Sequence, residues 1–123
     1  MIKRLKGLEL PLKPGEKAII YLESGEKAKT YPKAINEMIY DKGRIQITFT
    51  TTNSTYVGYV KVNEPSAEMY DGFIIKKGST VFALSGEEEI VEEILDVRKD
   101  GIKIKTGTGT FDGIVSLLED RPG

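Results

Sequence analysis

The chain repeats itself. In residues 13–65 and again in 76–122, the same landmarks follow one another in the same order. Gly15 answers Gly78, and Ser24-Gly25-Glu26 answers Ser85-Gly86-Glu87. Asp41-Lys42-Gly43 answers Lys99-Asp100-Gly101, with Ile45 and Ile47 following the first and Ile102 and Ile104 the second. Tyr56, Gly58 and Val60 answer Phe111, Gly113 and Val115. A duplicated chain uses one supersecondary unit twice, so any fold assigned to one stretch must also suit the other.

Both stretches alternate apolar and polar residues between turn residues, which is the strand pattern. The first strand of each falls at 18–22 and 80–84. Asp100-Gly101 between two alternating runs is a short-hairpin signal, because glycine accepts the positive φ that tight hairpin turns require. Asp41-Lys42-Gly43 reads as a three-residue version, Ser24-Gly25 and Ser85-Gly86 as a second turn, and Asn53-Ser54 and Thr108-Gly109 as a third. Four short strands per copy follow, and 66–75 adds one more. One passage carries two readings. Ile90, Val91, Ile94 and Leu95, and their counterparts Ala34, Ile35, Met38 and Ile39, also have helical spacing. Ser85 to Glu88 resembles a capping box and Pro32 suits a first helical turn. Because both passages run unbroken into a hairpin, a long bent strand is preferred over 32–40 and 87–97. The expected fold is all-β, made of two closely packed tandem small barrel units at 1–65 and 66–123, either as separate barrels or as one merged sheet system. The alternative is α+β with one short helix per repeat.

Composition narrows the chemistry. The 123 residues contain no cysteine and no histidine, which removes disulfides, thiolate metal sites and the commonest general base together. Lys–carboxylate or Lys–Tyr arrangements remain for nucleophilic catalysis, and none has a recognisable spacing. The expectation is a protein that is not an enzyme, with no cofactor and no metal. The acidic run Glu87-Glu88-Glu89 and Glu92-Glu93 lacks the pattern of a calcium loop and reads as a solvated edge that discourages sheet-to-sheet aggregation. Gly107 and Gly109 flank threonines, but no Gly-Lys-Ser or Gly-Lys-Thr follows, so a hairpin loop is expected there. No apolar stretch approaches the roughly 20 residues of a membrane-spanning helix, and the opening residues lack the apolar core of a signal peptide. A soluble cytoplasmic protein is expected. Lysine and glutamate dominate a 30% charged content while Asn and Gln are scarce, the trend of proteins from hot sources.

The second copy, with Val81-Phe82-Ala83-Leu84, Ile94 to Lys105 and the closing Phe111-Asp112-Gly113-Ile114-Val115, resembles the SH3-like barrels of the KOW and Tudor type. The first copy is similar but more diverged. The resemblance implies a pair of SH3-like binding modules for RNA, for ribosomal or transcription partners, or for peptides. No clustered aromatic cage is present for methylated side chains. The stretch from Leu12 to Ile20, with Tyr31-Pro32-Lys33-Ala34-Ile35, looks like the N-terminal barrel of flagellar-brake proteins, which precedes a cyclic-dinucleotide-binding PilZ domain. Asn53-Ser54-Thr55-Tyr56-Val57-Gly58 approximates the PilZ loop with Thr in place of Ser. No second arginine follows Arg4 at the spacing of the PilZ arm, and Thr108 to Gly113 repeats the loop in the second copy, as barrel geometry would.

Charge is polarised along the chain although the net is −1. Residues 1–63 carry 11 Lys or Arg against 6 Asp or Glu, and residues 64–123 carry 7 against 13. In Tyr56-Val57-Gly58-Tyr59 the tyrosines are three apart and face opposite sides of a strand. With Lys29, Lys33, Arg44 and Lys61 near in sequence, Tyr56 and Tyr59 form the candidate binding set. The leading expectation is a non-catalytic binding or assembly module acting through protein–protein contacts, with self-association of opposed basic and acidic halves included. The alternatives are a nucleic-acid-binding barrel using the basic half, and a small-ligand sensor of nucleotide type.

Overall fold

A computed structural model describes residues 2–41, 44–61, 73–82, 87–98 and 101–113. The chain is all-β. Its strands are β1 (Ile2–Leu8), β2 (Ala18–Leu22), β3 (Lys27–Thr30), β4 (Ala34–Asp41), β5 (Arg44–Thr50), β6 (Thr55–Lys61), β7 (Phe73–Lys76), β8 (Thr80–Phe82), β9 (Glu88–Arg98), β10 (Gly101–Thr106) and β11 (Gly109–Gly113). Pairing runs without a break in the order β11-β10-β9-β4-β5-β6-β1-β2-β3, with β7 also on β4 and β8 also on β9. Among the described residues every pairing is antiparallel except β1 with β6. Ser85-Gly86, Lys99-Asp100, Tyr70, Val115 and most of 66–75 lie outside the described residues; β7 supplies the strand expected at the end of that segment.

The all-β expectation holds, and both passages with helical spacing are strand. The spacing has a local cause. In β4 the register slips between Ile35 and Glu37, and in β9 it slips twice, opposite Lys103/Ile104 and Lys105/Thr106. A bulge inserts one unpaired residue, so residues three apart regain the same face. Ile35 with Met38, and Val91 with Ile94, are thereby all buried. The first hairpin is tighter than expected: Asp41 pairs with Arg44, leaving two residues between the strands rather than three, and Arg98 pairs with Gly101 likewise.

The repeat has a structural counterpart in its opening turns. Glu16 N donates to Lys13 O at 3.2 Å, and Ser79 N donates to Lys76 O at 3.0 Å. The third residue of each turn, Gly15 or Gly78, sits at φ +85° or +91°. A type II turn demands that positive φ, which a side chain resists. The segment before each turn pairs with the other stretch. Leu12 exchanges hydrogen bonds of 2.8 and 2.9 Å with Val97 of β9, while β7 pairs with β4. Ile35 of β4 faces Ile94 of β9. The stretches thus share one sheet, and the Leu12–Val97 bridge closes the circuit β9-β4-β5-β6-β1 on itself.

One apolar cluster fills this circuit. Leu12, Met38, Ile45, Ile47, Phe49, Ile75, Val97 and Ile104 are fully buried, joined by Ile20, Ile94 and Ile102. Ile45 and Ile47 sit in the same geometry as Ile102 and Ile104: each pair lies on the strand after a tight hairpin and faces the core. Burying side chains of this size contributes about 1.5–3 kcal/mol each. An Ile47→Ala variant is expected to lose about 3 kcal/mol in chemical denaturation, since the site is sealed on all sides. A loss below about 1 kcal/mol would contradict the closed core.

Candidate binding face

Five neighbouring strands, β5, β6, β1, β2 and β3, hold seven cations and not one carboxylate. The cations are Lys3, Arg4, Lys6, Lys27, Lys29, Arg44 and Lys61. Alternation decides where they point. On β5, Ile45, Ile47 and Phe49 are buried, so Arg44, Gln46, Thr48 and Thr50 face outward. On β6, Gly58 and Val60 are buried, so Val57, Tyr59 and Lys61 face outward opposite them. Arg4 pairs with Val57 and continues the face onto β1. Tyr21 and Ile19 of β2 carry it further, and their partners Lys27 and Lys29 complete it on β3. Ile2, 69% exposed, lies among these cations.

Arg44 and Lys61 stand directly opposite each other. Like charges in that position repel, so the pairing works against stability. Part of the cost is offset where the Arg44 guanidinium lies over the Tyr59 ring, 4.8 Å from its centroid. Lys3 lies on the other side of the sheet, where it reaches over Tyr56 at 5.8 Å.

The structure divides the residues singled out from sequence. Arg44, Tyr59 and Lys61 come together at one end of the β5–β6 hairpin. Tyr56 belongs to the opposite side, stacked on buried Phe49 with ring centroids 5.3 Å apart. Lys33 lies at the other end of β5, its N–H donating to Thr50 O. Six residues of strand separate Thr50 from Arg44, roughly 20 Å. Lys29 shares the cationic face but sits three strands from Tyr59 on β3, which pairs only with β2 among the described residues. There Lys27 and Lys29 also guard an edge against strand pairing. Sequence reasoning passed over Arg4, Lys6, Lys27 and Ile2. The signal available for them was the absence of Asp and Glu from 2–8, 18–22, 27–30, 44–50 and 55–61, with Glu9, Glu16, Glu23 and Glu26 falling between those strands.

Tyr21 is anchored at the margin of the face. Its hydroxyl donates to Glu9 Oε2 at 2.6 Å. That bond first, then desolvation and the carboxylate's charge, raises the phenol above its ordinary value of 10.0. The folded state therefore favours the neutral phenol. The contribution is whole below about pH 10 and is lost as pH rises through the raised value. Spectroscopic titration of Glu9→Gln is expected to show one tyrosine step moved down toward 10, and Tyr21→Phe is expected to remove that step. An unchanged titration in both would contradict the bond.

A cleft of about 410 Å³ opens beside the closure, between residues 9–19 and Asp96 and Arg98 of β9. Its charges are largely engaged within it. Lys13 Nζ lies 3.4 Å from Glu16 Oε2, and Arg98 Nη1 lies 3.4 Å from Asp96 Oδ1. Asp96 Oδ1 is buried and accepts no hydrogen bond among the described residues, so its 3.4 Å approach to Arg98 is a charge contact. On β9 itself, Glu89 is buried and accepts the hydroxyl of Thr108. Glu88, Ile90, Glu92 and Glu93 are exposed. Among the described residues no group of three or more carboxylates converges as a metal site, and no helix is long and apolar enough to cross a membrane.

No family model, no curated protein and no solved structure matches this chain.

Proposed function

We propose that the chain is a non-catalytic binding module that docks an acidic protein surface on the outward face of β5, β6, β1, β2 and β3. One observation carries this reading: five consecutive strands without a carboxylate, which turn six of their seven cations, all but Lys3, to this side. Such a face attracts an anionic partner over distances of about a Debye length and speeds the encounter. Outward apolar groups favour a protein partner over a bare phosphate chain. Ile2, Ile19, Val57 and the Arg44-capped Tyr59 offer desolvated contact, and Tyr and Arg are the residue types that most often dominate protein interfaces.

The test is fluorescence anisotropy with two labelled probes of equal charge, a peptide alternating Glu with Ile and a single-stranded oligonucleotide. The peptide is expected to bind more tightly. An Arg44→Glu/Lys61→Glu variant is expected to bind it about tenfold more weakly, a change of roughly 1.4 kcal/mol. Tighter binding of the oligonucleotide, with affinity falling steeply in salt, would replace this reading with the nucleic-acid one. Failure of the reversal to weaken the peptide would overturn the choice of face.

A further inference from the structure

We propose that the acidic partner is a second copy of the chain, presenting the outward side of its β9; this rests on the docking reading above. Strand alternation turns Glu88, Ile90 and Glu92 outward, and the bulge that follows keeps Glu93 exposed beside them. Glu89 is turned in and satisfied by Thr108, so it is not part of the strip. From Glu88 to Glu93 the strip runs roughly 17 Å, long enough to cross three or four strands of a facing sheet. Lys105 lies opposite Glu93 and softens that end; among the described residues no cation pairs across the sheet with Glu88 or Glu92.

The two patches have the same plan in opposite sign. Ile90 is 58% exposed among carboxylates, and Ile2 is 69% exposed beside Arg4 and Lys6. An apolar centre within a charged rim is the ordinary anatomy of a protein interface. The patches are held apart within one chain: β4 stands between β9 and β5, and the bridge from Leu12 to β9 falls at Val97, five residues beyond Glu92. Neither patch can meet its own copy, since like charges would face each other. Strip against face is the combination that remains. It joins unlike surfaces, so each added copy leaves one strip and one face unused, and the product is a head-to-tail chain or a closed ring.

Charge-swap variants test this in the intact chain. One carries Arg4→Glu, Lys6→Glu and Arg44→Glu; the other carries Glu88→Lys and Glu92→Lys. Size exclusion with light scattering at about 0.01 M salt is expected to give wild-type masses above the monomer, collapsing to monomer at about 1 M, where the Debye length falls from roughly 30 Å to 3 Å. Each variant alone is expected to be monomeric at low salt, and a mixture of the two is expected to assemble again. The milder Glu88→Gln/Glu92→Gln pair removes charge without adding any and is expected to reduce assembly as well. Monomeric wild type at low salt, or undiminished assembly of the Gln pair, would overturn the proposal. The β9 variants keep the cationic face, so their binding of the Glu–Ile peptide separates the two readings. If they bind it while wild type stays monomeric, self-assembly fails and docking stands; if they do not, docking fails as well.

Discussion

Replacing Gly58 by alanine is expected to cost about 2 kcal/mol, within the range for overfilling a packed site. A Cβ at this position would lie 2.7 Å from Leu8 Cδ2, 3.2 Å from Leu5 Cδ1 and 3.3 Å from Leu5 Cβ. The tip of Leu8 can rotate away. Leu5 Cβ cannot move without its backbone, so β1 must shift off β6. That shift strikes the sheet's one described parallel pairing, which holds Ile2, Lys3 and Arg4 against Thr55, Tyr56 and Val57. Urea denaturation should show the midpoint falling by about 1 M if the slope is near 2 kcal/mol per M. Gly58→Val should fall further. In a Leu8→Ala background the penalty of Gly58→Ala should shrink, because the two sites share the contact. A midpoint unchanged by Gly58→Ala would mean that β1 does not lie this close to β6.

Leu12→Ala is expected to lose about 3 kcal/mol, although it deletes no hydrogen bond. The side chain is fully buried, and its backbone makes both bonds to Val97. Alanine keeps those bonds and empties the space beneath them, at the point where the sheet circuit closes. Leu12→Pro removes the N–H that donates to Val97 O at 2.8 Å and is expected to be more damaging still. Amide exchange adds a local reading: Leu12 and Val97 should exchange with core amides such as Ile47, not with the turns. A small loss for Leu12→Ala together with rapid exchange at Val97 would show that the circuit is open there.

Much of the fold was legible because strand periodicity and turn chemistry are local. Gly15 and Gly78 mark equivalent turns because both must adopt positive φ, a demand visible one residue at a time. Ile45, Ile47, Ile102 and Ile104 stood out because core strands keep strict alternation. The helical spacing of Ile35 with Met38 and of Val91 with Ile94 was ambiguous for a definite reason. A bulge converts period two into a step of three, and the step is fixed by pairing with β5 and β10, which the local sequence does not contain. The exchange of pre-turn segments between the stretches was hidden for the same reason, since Leu12 finds its partner Val97 only in three dimensions.

The candidate site was half legible. The aromatic alternation at Tyr56 and Tyr59 correctly predicted opposite faces, and Arg44 joined Tyr59 because the two lie across one hairpin. Lys33 looked close to Arg44 in sequence yet lies a full strand length away. The cationic face could not be assembled from sequence because it depends on β1 lying between β6 and β2, a parallel contact between the start of the chain and residues more than fifty positions later. The acidic run read as a solvated edge becomes a patch of alternating Glu88, Ile90 and Glu92 once β9 has a defined outward side.

The most direct measurement is residue-by-residue mapping of amide chemical shifts as the protein is diluted at low salt. Concentration-dependent shifts should fall on Arg4, Lys6, Tyr21, Lys27, Arg44, Tyr59 and Lys61, and on Glu88, Ile90 and Glu92, and should vanish at high salt. Shifts centred instead on the cleft between residues 9–19 and Asp96, with the cationic face unmoved, would contradict the assignment of that face as the working surface.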